Sequence, residues 1–262
     1  MNPRQRALEV LCLQDPTLKA SEARSLLSSL DAALIDPQAT LIAPDDLPGR
    51  PQRPRLLPPR QVPSRSPFTP QGRAALIHAI AHIEFNAINL ALDAAFRFSG
   101  MPVAFYVDWL RVASEEALHF NLLREHLRSL GHDYGDFDAH DGLWLMTQRT
   151  AGDVVARMAL VPRTLEARGL DATPPLQDKF ARAGDARAVE ILGVILRDEV
   201  GHVAIGNRWY HWLCEREGLD PVAHYAELTL RHEAPKLRPP FNWPARAAAG
   251  FTDDEMARLN AG

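Results

Sequence analysis

Two tetrapeptides in this chain have the composition of a chelate, Glu116-Ala-Leu-His119 and Glu199-Val-Gly-His202. On an α-helix, positions three apart lie about 60° apart around the axis and about 4.5 Å along it, so the carboxylate and imidazole of each can grip one metal ion together. A lone glutamate precedes each pair: Glu84 stands 32 residues before Glu116, and Glu166 stands 33 before Glu199. All of these carboxylates interrupt apolar stripes. Glu84 shares a helical face with Ile77, Ile80, Ala87, Ile88 and Ala91, and Glu116 and His119 share one with Trp109, Val112, Ala113, Phe120 and Leu123. Glu166 follows Val155, Ala159 and Pro162, while Glu199 and His202 sit among Leu192, Ile195, Leu196, Val203 and Gly206. Taken singly, any one Glu is better explained as a half-exposed helix charge paired with one of the 29 Lys and Arg residues. Taken together, the order Glu, Glu-x-x-His, Glu, Glu-x-x-His is a repeat. Four ionised carboxylates meeting in one core would repel and be costly to desolvate, and two divalent cations would neutralise them.

Ligands placed in this way need long helices to carry them. From Thr69 to Gly218 apolar residues recur at helical spacing, and the blocks end in helix-stop signals. The first helix is expected from the Thr69-Pro70 cap to about Phe98, and the second from Pro102 to Gly131. The third is expected from Gly142 to Arg168, kinked at Pro162 and stopped at Gly169, with a proline-bearing link after it. The fourth runs from Asp185 to Gly218. Each would be about 40–50 Å long, the length of a four-helix bundle. Residues 1–43 read as a helical prefix, two short helices broken at Asp15-Pro16 with Leu8, Val10, Leu11, Leu26, Leu27 and Leu30 available for burial. Nine of the 21 prolines fall between Pro44 and Pro70, so residues 44–69 are an extended connector rather than helix or central strand. The connector's Arg50, Arg53, Arg55, Arg60 and Arg65 point to a solvated strap over the protein's own surface, with an acidic partner or RNA as the other reading. Residues 219–262 form a helical tail, in which Pro221 to Glu233 reads as helix and Thr252 with Glu255 has capping-box spacing before a last short helix. The fold class is all-α, with the bundle over residues 70–218.

Composition narrows the function classes. With 46% hydrophobic residues and 262 positions, the chain can bury a core without disulfide staples. Its formal charge of -4 argues against a global nucleic-acid field, though a local basic patch stays open. Cys12 and Cys214 lie in no metal or redox spacing and read as reduced, packed thiols, so the expected compartment is the cytoplasm. The amino terminus has no signal-peptide pattern, and no uncharged apolar run approaches the roughly 18 residues of a membrane span. Among the remaining histidines, His78, His82, His126, His211, His224 and His232 read as surface or satisfied core residues, His78 and His82 being near enough to Glu84 to line an entrance. Glu190, nine residues before Glu199, should face away from it. Gly201, Gly206 and Ala113 leave room beside the site, either for a substrate or for close helix packing.

The repeat of Glu and Glu-x-x-His resembles the ferritin-like di-iron and di-manganese carboxylate proteins over roughly residues 70–217. Within them, the segments HIEFNAINLALDAAFRF, VASEEALHFNLLREHL and RDEVGHVAIGNRWY are most similar to a bacterial group, domain-of-unknown-function family 455. The resemblance implies a ferritin-like fold and a first set of metal ligands made of Glu84, Glu116, His119, Glu166, Glu199 and His202. It makes Glu116 and Glu199 bridging carboxylates and Glu84 and Glu166 terminal ones. It further implies that Glu115 and Asp198, each just before a ligand Glu, orient the histidine of the opposite helix; a solvent-facing charge is the equal alternative for Glu115. The implied cofactor is two iron ions, with manganese as the alternative. The implied activity is oxidation or hydroxylation of an unidentified small molecule with dioxygen or peroxide; rubredoxin-like cysteine pairs are absent, so electrons would come from a separate reductase or from the substrate. Leu123 occupies the place of the tyrosine of radical-generating relatives, which argues against that activity. Two other readings stay open: ferroxidase or iron handling without an organic substrate, and tRNA hydroxylation. A monomer or small homo-oligomer is expected.

Overall fold

The structure is a computed structural model that describes residues 1–63 and 66–261; Arg65 of the connector lies outside the described residues. Among the described residues every regular element is helical, and the one isolated β-bridge pairs Leu56 with Ala139 in parallel. The all-α class is therefore as expected. The chain divides into two compact units, Met1–Trp144 and Leu145–Gly262. The division falls inside the 70–218 segment and gives each unit one copy of the repeat, because the prefix packs on the first pair of ligand helices and the tail on the second.

Unit 1 is built on a long hairpin. Helix α3 (Pro70–Arg97) starts where the Thr69 hydroxyl accepts from the Gly72 amide, and α4 (Val103–Ser129) ends just before Gly131, whose φ of 82° only glycine adopts freely. Helix α3 is apolar and long enough to cross a membrane by composition, but 78% of its most apolar window is buried, which is the signature of a core helix. Helices α1 (Pro3–Leu11) and α2 (Pro16–Ser28) pack on α3 and α4, burying Leu8, Val10, Leu11 and Leu26, while Leu27 and Leu30 stay half-exposed.

A second stripe on α3 is polar and fully inside: His78, His82, Asn86, Asn89 and Asp93, spaced three or four apart. Its partners come from the prefix, the connector's neighbourhood and the loop after α4. His78 Nε2 accepts from the Gly135 amide (2.9 Å). His82 accepts the Tyr134 hydroxyl at Nδ1 (2.9 Å) and has Nε2 3.1 Å from the His140 carbonyl oxygen, which suits one neutral tautomer. Burial pulls the His78 and His82 pKa values down to about 4 and about 3. Asn89 accepts from the buried Lys19 ammonium (2.7 Å), which also donates to the Gly49 carbonyl. Arg4, wholly buried, donates to the carbonyls of Asp36, Pro37, Ala39, Ala95 and Phe96. The connector lies on this unit as a strap: Leu57 and Ala139 exchange backbone bonds with Ala139 and Arg55, Arg55 pairs with Asp138 (2.7 Å), and Arg50 pairs with Asp141 (2.8 Å).

Unit 2 departs from the expected single third helix. Residues 142–182 form α5 (Gly142–Arg149), α6 (Val154–Leu160), a π-helical turn (Val161–Glu166) and α7 (Ala167–Arg182). Gly169 does not stop the helix, and the proline-bearing link is itself helical, with Pro174 and Pro175 inside α7. Proline is tolerated there because the Leu170 carbonyl, which Pro174 cannot bond, accepts from the Asn242 side chain at 3.1 Å. Helix α8 (Ala186–Glu217) begins at an Asp185 cap and ends at Gly218 as expected. The tail forms α9 (Pro221–Arg231), α10 (Trp243–Ala248) and α11 (Asp253–Ala261), and the Thr252–Glu255 capping box is formed in both directions. Ala167, Leu170, Val203, Ala249 and Phe251 make this unit's apolar core. Cys214 is buried, but Cys12 is exposed rather than packed, since its position at the end of α1 faces out.

Candidate metal centre

In unit 1 the helical register does what the spacing promised. Glu84 and its apolar neighbours face α4, and Glu116 and His119, one turn apart, face back. All three are buried, and each offers a ligand atom within 4.8 Å of the others'. His119 Nδ1 lies 3.1 Å from Glu84 Oε2 and 3.3 Å from Glu116 Oε2. Burial opposes a charge on that imidazole, but hydrogen bonds and attraction from the two carboxylates outweigh it and raise its pKa to about 11. A proton on Nδ1 thus supplies the positive charge that two buried carboxylates demand. A metal ion at the same place would answer the same demand with a better-matched set of oxygen and imidazole donors.

In unit 2 the second copy is present in altered form. Glu199 and His202 are buried on α8, with His202 Nδ1 3.7 Å from Glu199 Oε1. Glu166 is half-buried and is the last residue of the π-helical turn, so its direction is set by an i→i+5 turn and not by the regular helix its spacing implied. A residue missed from sequence stands beside them: a Cβ at Gly169 would lie 4.0 Å from Glu199 Oε2, an ordinary van der Waals contact, which puts this turn of α7 next to the carboxylate.

The flanking acids are half-buried; Asp198 takes a 2.8 Å ion pair from Arg197, its neighbour. Glu190 is exposed and pairs with Arg187, away from Glu199 as expected. His78 and His82 do not line an entrance. Glu84 is two positions after His82, about 200° around the axis, and both histidines serve the polar stripe on the other face. His126 is buried, and His224 and His232 lie near the tail's surface charges and backbone. Of the small residues, Gly201 is exposed with nothing within 4 Å of where a Cβ would stand, so it makes no room at the site. Gly206 serves packing: a Cβ there would fall 2.6 Å from Pro162 Cβ of the π-helical turn. Ala113 is fully buried.

Residues 12–257 match a family described as Protein of unknown function (DUF455). An uncharacterized protein of Haemophilus influenzae is 51% identical over 239 residues, which is 88% of this chain and 83% of that protein. No solved structure matches the chain. Since the family match runs through both repeats and both Glu-x-x-His pairs, the chain belongs to the DUF455 family.

Proposed function

We propose that the protein is a ferritin-like di-metal oxidoreductase of the cytoplasm, with two iron ions, or manganese in their place, held by Glu84, Glu116, His119, Glu166, Glu199 and His202. The observation that carries the reading is the dry convergence of Glu84, Glu116 and His119, three donors of iron-binding type within 4.8 Å of one another. The repeat extends it: what the first half supplies as Glu84, Glu116 and His119, the second half supplies as Glu166, Glu199 and His202. In this reading Glu84 and Glu166 are terminal carboxylates and Glu116 and Glu199 bridge. When bound, the two metals supply two-electron chemistry with dioxygen or peroxide, directed at a small organic substrate.

The chain's own residues have defined tasks. His119 would hold the metal through an imidazole nitrogen freed of its proton, so binding would release a proton and tighten with pH. Ile88, Val112, Ala113 and Phe120, all buried, keep water from the first half. Arg50 and Arg55 are engaged by Asp141 and Asp138, which speaks for a strap and against an RNA grip by those two residues.

Anaerobic loading with ferrous iron tests the proposal. Metal analysis is expected to give two irons per chain, and oxygen exposure is expected to change the visible absorption. Glu116→Ala with Glu199→Ala should remove both. A wild-type chain that retains no iron or manganese after such loading would defeat the reading.

A further inference from the structure

The π-helical turn that ends in Glu166 is fastened at three consecutive residues, and two of the three fastenings come from the tail. Pro162 fits against Gly206, where no side chain could be accommodated. The Thr164 hydroxyl donates to the Ala159 carbonyl (2.7 Å), a five-residue span that belongs to the π turn, and its oxygen lies 2.8 Å from the Tyr225 hydroxyl of α9. Arg163 is the centre of the arrangement. Its guanidinium is 2% exposed and lies within about 5 Å of the Tyr210, Tyr225 and Phe251 rings. It reaches Glu255 of α11 at 2.6 Å and Asn207 of α8 at 3.1 Å. Asn207 in turn donates to the Ala249 carbonyl (2.7 Å), and Glu255 also lies 2.8 Å from His211 Nε2. Glu255 is itself held by the Thr252 amide.

A π turn puts one extra residue into a helix and turns every later side chain by about 100°, so it must be over-determined to persist. Three residues after Arg163 comes Glu166. We propose that Glu255 and Arg163 are positioning residues: the C-terminal helix α11, through this buried ion pair, latches the π turn in the register that aims Glu166 at its metal. The inference rests on the di-metal reading above. It assigns the tail a role in the second half of the site that the first half, carried on unbroken α3 and α4, does not need. A tail that lets go would relax the turn toward regular helix and rotate the carboxylate off the site, leaving Glu84, Glu116 and His119 in place.

The test loads the full-length protein with Mn(II) and reads stoichiometry, affinity and the electron paramagnetic resonance of the bound ions. For wild type, two ions and a coupled-pair spectrum are expected. Glu255→Gln, isosteric but uncharged, should weaken the second ion at least tenfold and convert the spectrum toward isolated Mn(II), with the first ion still bound. Tyr225→Phe, which removes one hydroxyl from the turn, should act in the same direction more weakly. Leu228→Ala, a cavity on α9 that leaves both charges of the ion pair and the Tyr225 hydroxyl in the chain, controls for general destabilisation and should keep both ions at an equal loss of melting temperature. Two ions with wild-type affinity in both Glu255→Gln and Tyr225→Phe would overturn the latch. A Leu228→Ala chain that loses the second ion equally would do the same by reducing the effect to stability. A wild type that binds no ion at all would instead overturn the metal reading.

Discussion

The two copies of the repeat carry the same residue types in the same order on differently built supports. In unit 1 both ligand helices are regular, and the groups that anchor them from outside are largely backbone carbonyls, an amide and neutral imidazoles: Arg4 on five carbonyls, Lys19 on Gly49 and Asn89, His82 on Tyr134. In unit 2 the ligand Glu166 rides on a π turn, and the anchors are buried carboxylate–guanidinium pairs, Arg163 with Glu255 and Arg246 with Asp171. The lesson is that a motif's spacing fixes what its residues are, whereas the chemistry of the anchors fixes which conditions release them. Anchors made of ion pairs fail when the carboxylate is protonated, whereas anchors made of buried neutral imidazoles fail when the ring takes up a proton.

Breaking a buried ion pair from one side is the hardest test of that contrast. Arg246→Ala leaves the Asp171 carboxylate without its guanidinium and should cost about 3–5 kcal/mol, read by urea unfolding, with hydrogen exchange showing the loss in unit 2. An equal loss of protection throughout unit 1 would erase the distinction between the halves.

Titration should separate the units next. Burial opposes ionisation of Glu255, but His211 and Arg163 overcome it and bring its pKa down to about 2 from an ordinary 4.5. A depressed carboxylate gives stability that is complete above pH 4.5 and lost as pH falls toward 2, with a slope of up to about 1.4 kcal/mol per pH unit. Lys19 shifts in the same direction for the opposite reason, its charge being disfavoured and not favoured. Burial lowers its pKa to about 7 from 10.5, so the folded state binds fewer protons in that interval and unit 1 gains stability as pH rises from 7 to 10.5. Acid also acts on unit 1, because the buried, neutral His78 and His82 must take up protons, so hydrogen exchange should rise in unit 1 as pH falls below 6.5 and in unit 2 only below about 4.5; the alkaline gain should vanish in Lys19→Met.

Two glycines on α8 sharpen the picture at smaller scale. Gly206→Ala drives a methyl into Pro162 and should cost roughly 1–3 kcal/mol in thermal unfolding, because the fastened turn has little freedom to yield. Gly201→Ala, five residues earlier and open to solvent, should stabilise the helix by roughly 0.5–1 kcal/mol and leave metal content unchanged. If Gly206→Ala proved as harmless as Gly201→Ala, the turn would be adaptable and not held.

How much of this was legible beforehand follows from where the information lies. The limits of α3, α4 and α8 are written locally, in Thr69-Pro70, Gly131, Asp185 and Gly218, and the buried Glu84, Glu116, His119, Glu199 and His202 follow from the same period. The stretch from Gly142 to Arg182 was misread because its deciding partners are remote. Pro174 survives through Asn242, 72 residues from the carbonyl it satisfies, and Pro162 marks a π turn whose room comes from Gly206. Buried Arg4, Lys19 and Arg163 could not be told from solvated charges, since what satisfies them is brought near only by the fold.

The contacts of Arg4 also set an order of events during synthesis. Its guanidinium closes on the carbonyl of Phe96, 92 residues further along, and Lys19 on Asn89, 70 residues along. At roughly 5–20 residues per second, the first helix waits several seconds on the ribosome before its acceptors exist. The amino-terminal helices are therefore made first but can complete these bonds only after α3 has been synthesised.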